Sequence, residues 1–271
     1  MPVEKYLDQL KTWFEAKERV IIALSGGVDS SLVAFLARKY LGKVNAISVI
    51  SNSASLKERD LQDARNFCQK YDIQLEEIDA GEIEDENYAS NPINRCYFCK
   101  TALYSELVDL INLKFKGYRI LNGSNLSDFG DYRPGLHAAD EKAVLSPLAD
   151  CGIDKPKVRE LAHHFDLFVW DKPASPCLSS RFPYGESITI QKLRMVEKAE
   201  ELLYEAGFHD SRVRFAAGIA RIEVPQPQLN RLHNNIENLA PKIISFGFSG
   251  CEIDEEGLIS GKLNRVLNHG Q

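Results

Sequence analysis

Apolar positions in the first half of the chain switch between two spacings. Val20–Leu24 (VIIAL) is an unbroken apolar run, the pattern of a strand covered on both faces. Val44–Ile50, Ile73–Ile78 and Tyr118–Asn122 read as three further strands. Between them the spacing is helical. One helix runs from about Val28 to Tyr40 and is closed by Gly42, one opens on a Ser55-Leu56-Lys57-Glu58 capping box and reaches about Tyr71, and one runs from about Tyr97 to Phe115,. Strands alternating with helices predict an α/β fold with a parallel sheet and crossover helices. The pattern changes near Asp171. The stretch Asp171–Ser187 (DKPASPCLSSRFPYGES) is rich in Pro and Ser and predicts a loop long enough to be functional. Beyond it come a helix over Thr189–Ala206, strands at Arg212–Phe215 and Arg221–Val224, a helical stretch over about Gln226–Ser245, and a strand near Cys251–Asp254. The predicted organisation is a first domain over residues 1–175, a loop over 171–186, and a small α+β domain over 186–271.

Composition narrows the function classes. In 271 residues, 44% hydrophobic and 27% charged is a globular balance, which excludes a disordered tail or a fibrous repeat. The net charge of −6 argues against a surface built to hold polyanions, while leaving room for a local basic pocket. No apolar run approaches the roughly 20 residues of a membrane helix. The charged start, MPVEKYLDQLKTWFEAKERV, reads as an amphipathic helix and not a signal peptide,. The expected location is cytoplasmic. There the six cysteines are thiols, metal ligands or reactive sulfur, not a disulfide framework.

The strand VIIAL leads into Ser25-Gly26-Gly27-Val28-Asp29-Ser30-Ser31 and then a helix. Glycines let the backbone approach a ligand closely, and free N–H groups at a helix start favour an anion. Ser25, Ser30 and Ser31 add hydroxyls. The absence of a lysine at the loop's end excludes the GxxxxGK[ST] phosphate loop. SGGVDS resembles the PP-loop of ATP pyrophosphatases, which cleave ATP between the α and β phosphates and adenylylate a carboxylate or carbonyl-type oxygen. That resemblance implies a Rossmann-like domain binding ATP through Ser25, Gly26, Gly27, Asp29, Ser30 and Ser31. A second segment, Gly123-Ser124-Asn125-Leu126-Ser127-Asp128, resembles the G-[ST]-N-x-x-D motif of the same superfamily. It implies that Gly123 and Asn125 lie near ATP and that Asp128 lies near Mg²⁺, a hard cation suited to carboxylates and phosphates.

The cysteines carry the remaining chemistry. Cys96 and Cys99 form a C-x-x-C at a predicted helix start, between Arg95 and Lys100. The spacing brings two sulfurs to one face, where they can ligate a metal or cluster, exchange electrons, or pack as core thiols. Cys177 sits between Pro176 and Leu178 in the long loop, near Lys172 and Arg181, surroundings that activate a thiol. Cys96, Cys99 and Cys177 together can hold three irons of a [4Fe–4S] cluster, leaving the fourth open to hydrosulfide. Cys68 and Cys251 fit apolar patterns and are expected to be buried. Cys151 has no evident assignment. Arg212 and Arg214 alternate on a predicted strand and so share a face, an arrangement suited to a phosphate monoester. Glu200, Glu201 and Glu223 can bind a cation, although Glu200 and Glu201 read more readily as a solvated helix face.

SGGVDSSLVA, NRCYFCK, LNGSNLSDFGDYRPG, WDKPASPCLSSRFPYG and RVRFAAGIARIEV together resemble the LarE family, sulfur transferases of nickel-pincer nucleotide biosynthesis. The resemblance implies adenylylation of a carboxylate of pyridinium-3,5-biscarboxylic acid mononucleotide and replacement of its oxygen by sulfur. It implies Arg212 and Arg214 as the substrate-phosphate site and Cys177 as sulfur carrier, sacrificed to dehydroalanine after a single turnover in one branch of the family and joined by a C-x-x-C in another, the branch to which Cys96 and Cys99 point. Lys172 or Arg181 is the expected cation to neutralise the phosphates or the developing charge. The implied cofactors are ATP, Mg²⁺ and, from the extra C-x-x-C, a three-cysteine [4Fe–4S] cluster. The implied partner is a small anionic nucleotide, without stable nucleic acid or membrane, in a homo-oligomer (trimer or hexamer). The rival readings are a tRNA thiolase, which needs a broad basic surface, an NAD-synthetase-like ligase, which needs no thiol, and a nucleotide-binding regulator.

Overall fold

The computed structural model describes residues 3–130, 134–259 and 261–267. The chain separates into two compact units, residues 1–88 with 94–175, and residues 89–93 with 176–271. Asp131, Tyr132 and Arg133 of the quoted LNGSNLSDFGDYRPG segment lie outside the described residues.

The first unit is built in the order α1 (Val3–Glu15), β1 (Val20–Ala23), α2 (Val28–Leu41), β2 (Ala46–Ser51), α3 (Glu58–Lys70), β3 (Gln74–Ile78), α4 (Glu86–Ala89), α5 (Arg95–Leu113), β4 (Arg119–Leu121), α6 (Gly135–Glu141), α7 (Pro147–Asp150) and α8 (Lys155–His164). Its four strands form one sheet in the order β3-β2-β1-β4, with every pairing parallel. β1 is buried along its whole length, as its unbroken apolar run demands. One face of the sheet carries Leu10, Phe14, Leu32, Leu36, Phe67 and Leu161 from α1, α2, α3 and α8. The other carries Leu103, Tyr104, Leu107 and Ala138 from α5 and α6. The next strand in the chain, β2, lies on one side of β1 and β4 on the other. The turn after β1 therefore occupies the switch point where open parallel sheets bind ligands.

The capping box at Ser55 does not form. α3 begins at Glu58 with no side-chain cap, because the Ser55 hydroxyl donates instead to the buried Glu82 carboxylate at 2.8 Å.

The second unit contains α9 (Ile190–Glu205), β5 (Arg212–Ala216), β6 (Ile219–Glu223), α10 (Leu229–His233), α11 (Ile236–Ser245) and β7 (Gly250–Ile253). β5 and β6 form an antiparallel hairpin, and β7 joins β6 in parallel. Ala217 (φ 49°) and Gly218 (φ 91°) close the hairpin, the two positive φ values of a tight two-residue turn. The helix expected over Gln226–Ser245 is broken into a single 3₁₀ turn, α10 and α11, interrupted at Asn234 and Asn235. Cys68 is buried as expected, but Cys251 is only half-buried. Residues 89–93, within the first domain by the sequence reading, belong to this unit. The fully buried Asn91, at φ 54°, donates from its amide to the carbonyls of Pro183 at 2.7 Å and Phe182 at 3.4 Å. Its own carbonyl accepts from Gly185 N–H at 2.9 Å. Among the described residues no helix is long and apolar enough to cross a membrane.

Candidate active site

β1 ends at Ala23, and Ser25 opens the turn. Gly26 takes φ 73°, and a Cβ there would stand 3.1 Å from the Asp60 carbonyl oxygen. Gly27 is the N-cap of α2 and supplies no capping side chain, so the helix's first amides keep their donor capacity. The serines brace the turn. Ser25 N–H donates to Ser30 Oγ at 3.0 Å, the two hydroxyls bond each other at 3.0 Å, and Ser30 Oγ donates to the Gly27 carbonyl at 3.3 Å. Ser31 Oγ is buried without a hydrogen-bond partner among the described residues, a polar atom of a kind that a ligand or water ordinarily satisfies.

The segment after β4 closes on this turn. At Gly123 a Cβ would fall 2.6 Å from Ser30 N, so only glycine fits. Asn125 donates from its amide to Asp29 Oδ1 at 3.0 Å, and its N–H donates to Asp128 Oδ2 at 3.0 Å. The second Asp29 oxygen pairs with Lys155. Two carboxylates thus bond one asparagine beside a glycine cradle. Mg²⁺ is commonly held by one or two carboxylates plus phosphate oxygens and water, and Asp29 and Asp128 match that donor chemistry. No three His, Cys, Asp or Glu side chains among the described residues are gathered to hold a metal alone.

Lys172 pairs with Asp60 at 3.0 Å and Asp63 at 2.8 Å, and Ser175 Oγ donates to Asp60 at 2.7 Å. Burial alone would lower the Lys172 pKa, but the two carboxylates outweigh it and raise it. Lys172 is therefore a tether from its loop to α3 rather than a free cation.

In the second unit Cys177 is exposed, but the loop that bears it is fixed from inside. Arg181 is 1% exposed. It donates to both Glu200 oxygens at 2.8 and 3.1 Å, and to the carbonyls of Pro176 and Cys177 at 2.8 and 3.2 Å. Glu200 also accepts from Val213 N–H of β5 at 3.0 Å. The expectation that Arg181 neutralises phosphate charge is corrected, since its guanidinium is consumed in holding the cysteine loop. The solvated-face reading of Glu200 is corrected too. Its place in a Leu193-Val196-Glu200-Leu203 stripe, at spacings of three and four, carried a burial signal that its charge masked.

β5 buries Val213 and Phe215 and turns Arg212 and Arg214 to its other face. Arg214 donates to the Ser180 carbonyl at 2.7 Å and to Glu223 at 3.0 Å. Glu223, expected as a cation ligand, is instead matched by protein cations, Arg214 at 2.9 Å and Lys262 at 3.6 Å. Arg212 is half-buried and forms no ion pair among the described residues. Desolvation, then the like charges of Arg181 and Arg214, lower its pKa, the condition of a cation that an anion would stabilise. Beside these groups a concavity of about 300 Å³ is lined by Arg181, Arg214, Arg221, Glu223 and Lys262, among others.

Cys96 is exposed and Cys99 half-buried in the first turn of α5. Two thiols are one short of the three protein ligands of a cluster with an open iron, and Cys177 belongs to the other unit. Cys151 is half-buried against the α1–α2 core, and burial with the Asp150 charge pushes its thiol up to about 11. Lys155, Asp60 and Lys262 were not singled out from the sequence because each works through a partner distant in the chain.

A glycine turn at the switch point of a 3-2-1-4 parallel sheet, closed by an Asn/Asp segment and lacking the P-loop lysine, defines a PP-loop nucleotide-binding α/β protein. The NAD synthase family model matches residues 3–94. An uncharacterized Synechocystis protein is 43% identical over 98% of this chain and 99% of its own. The pyridinium-3,5-bisthiocarboxylic acid mononucleotide synthase of Lactiplantibacillus plantarum is 33% identical over 94% of this chain and 92% of its own. An NH₃-dependent NAD⁺ synthetase of Pelodictyon phaeoclathratiforme is 27% identical over 55% of this chain. The chain belongs to the LarE family.

Proposed function

We propose that this protein is an ATP-dependent sulfur transferase acting on the carboxylates of pyridinium-3,5-biscarboxylic acid mononucleotide. ATP lies on the Ser25–Ser31 turn with Gly123 and Asn125, and Asp128 serves its Mg²⁺. Bound Mg²⁺ supplies charge neutralisation to the departing pyrophosphate. A substrate carboxylate oxygen attacks the α-phosphorus, the bond to the β-phosphate oxygen breaks, and an acyl-adenylate forms. AMP is a far better leaving group than oxide. The Cys177 sulfur then attacks the carbonyl carbon, expels AMP and leaves a thioester. Removal of the Cys177 Cα proton pushes an electron pair into a Cα–Cβ double bond and breaks Cβ–Sγ. The substrate keeps sulfur as a thiocarboxylate, and position 177 becomes dehydroalanine. Arg212 and Arg214 receive the substrate phosphate.

One observation carries this reading. An exposed thiol is mounted on a loop fixed by the buried Arg181–Glu200 pair, in the same unit as the unpaired Arg212. Cys177→Ala tests it. The variant should still release pyrophosphate when ATP and the mononucleotide are supplied, and should form no thiocarboxylate detectable by mass spectrometry. Loss of pyrophosphate release, or retained thiocarboxylate, would sink the reading.

A second sulfur source is favoured by the exposed Cys96 and half-buried Cys99 at the start of α5. With Cys177 they provide the three thiolates of a [4Fe–4S] cluster. Iron and sulfide analysis after anaerobic purification separates the routes. An iron-free protein whose Cys177 loses H₂S on turnover is sacrificial, and a protein with iron that keeps Cys177 intact is not. The protein acts in the cytoplasm as a homo-oligomer, which light scattering on the purified protein checks.

A further inference from the structure

The concavity in the second unit is lined by charges that nearly cancel, and its balance turns on one residue. Arg181 is neutralised by Glu200 and Arg221 by Glu252. Arg214 is matched by Glu223. The remaining lining carboxylate, Asp254, is only 11% exposed at its side chain and pairs with Lys262 at 2.6 Å. Lys262 also meets Glu256 at 3.2 Å and stands 3.6 Å from the second Glu223 oxygen. With every cation of the lining matched, the charge left over for an anion is Arg212, which is not part of the lining but stands directly across the β5–β6 pairing from the lining residue Glu223.

Lys262 comes from the last described turn of the chain, and the backbone is shaped to bring it back. Gly257 takes φ 70°, where a Cβ would stand 2.8 Å from the Val224 carbonyl oxygen. Leu258 N–H donates to that same carbonyl at 2.8 Å. Farther on, Asn264 accepts from the Tyr184 hydroxyl at 2.9 Å, and Arg265 pairs with Glu256 at 2.8 Å. Lys262 and Leu263 thus form part of the concavity's wall.

We propose that Lys262 is a specificity-determining positioning residue, which sets the sign of the concavity so that it accepts a phosphate monoester. Removing the ammonium leaves Asp254 and part of Glu223 uncompensated in a partly buried site. The orphaned carboxylate then offsets Arg212, and a net attraction for a dianion becomes neutral or repulsive. Lys262 needs no contact with substrate for this. It occupies the carboxylates that would otherwise compete with phosphate for the arginines. The inference rests on the proposed assignment of this concavity to the substrate phosphate.

The test measures the dissociation constants of pyridinium-3,5-biscarboxylic acid mononucleotide and of ATP by calorimetric titration, and the single-turnover rate of thiocarboxylate formation at saturating mononucleotide. K262A should weaken mononucleotide binding about tenfold or more, leave ATP binding and the saturated single-turnover rate unchanged, and be rescued by K262R. The decisive variant is D254N in the K262A background, which removes the orphaned charge without restoring the tail's anchor. It should recover most of the lost affinity. Failure of D254N/K262A to recover, with R212A still weakening binding, overturns the role of Lys262 alone. If neither K262A nor R212A weakens binding, the assignment of the concavity itself falls. Should K262A not fold, D254N/K262M is compared with K262M: tighter mononucleotide binding in the pair is expected, and equal or weaker binding overturns the proposal.

Discussion

At the scale of single residues, the buried Arg181–Glu200 pair makes the sharpest prediction. Its two side chains are 1% and 7% exposed, so removing either partner strands a charge at a cost of about 3–5 kcal/mol. Glu200→Gln should lower the midpoint of chemical denaturation and free the Cys177 loop, read as faster alkylation of Cys177. A second prediction concerns the buried thiol of Cys68 and the half-buried thiols of Cys151 and Cys251. Burial pushes Cys68 from 9.0 up to about 12, and Cys151 and Cys251 up to about 11. Below the unfolded value both states keep these protons, and the full stability is present. As pH rises past it the unfolded chain releases them first, so stability falls until the folded thiols ionise. Denaturation at about pH 8 and about pH 10 should show this loss, and Cys68→Ala should flatten its slope. Of the six cysteines, Cys96 and Cys177 should react first with a thiol reagent, because both are exposed. Residue chemistry was legible where it depended on near neighbours, as at Ser25–Ser31 and at Arg212 with Arg214. It was illegible where charge was cancelled from afar, as by Asp60 on Lys172 or Lys262 on Glu223.

At the scale of elements, the turn after β1 and the segment after β4 behave as one part. The Gly123 backbone sits so close to Ser30 N that a methyl group would stand 2.6 Å away. Gly123→Ala should therefore weaken ATP binding by about tenfold or more, roughly 1.4 kcal/mol, checked by calorimetric titration of ATP. β1 and β2 could be read from apolar runs alone, since strands buried on both faces need no alternation, whereas β3 carries the partly exposed Glu76 and Glu77 and no fully buried residue,. Local signals misled where tertiary partners competed for the same atoms. Ser55 prefers Glu82 to capping α3, and α9 hides Glu200 in an otherwise apolar stripe. The apolar spacing over Gln226–Ser245 persists through Asn234 and Asn235, so periodicity alone could not show that the backbone breaks there.

At the scale of the whole molecule, the acidic balance of −6 coexists with a concavity lined by three arginines and a lysine. The favoured ligand is therefore a small anion and not an extended polyanion. Raising the ionic strength should weaken mononucleotide binding only modestly, without the steep dependence of nucleic-acid binding, measurable as the mononucleotide dissociation constant against salt. Asn91 bears on how the protein is made. Residues 89–93 fold with a unit whose remaining sequence begins only at Pro176. During synthesis this short piece leaves the ribosome long before its companions and has to wait for them. The gene accordingly cannot be divided at the codon for Ser175 into two self-sufficient modules. A fragment spanning 176–271 would lack the amide that satisfies the carbonyls of Phe182 and Pro183. Produced alone it should unfold without a cooperative transition, and grafting the 89–93 stretch onto it by circular permutation should restore one.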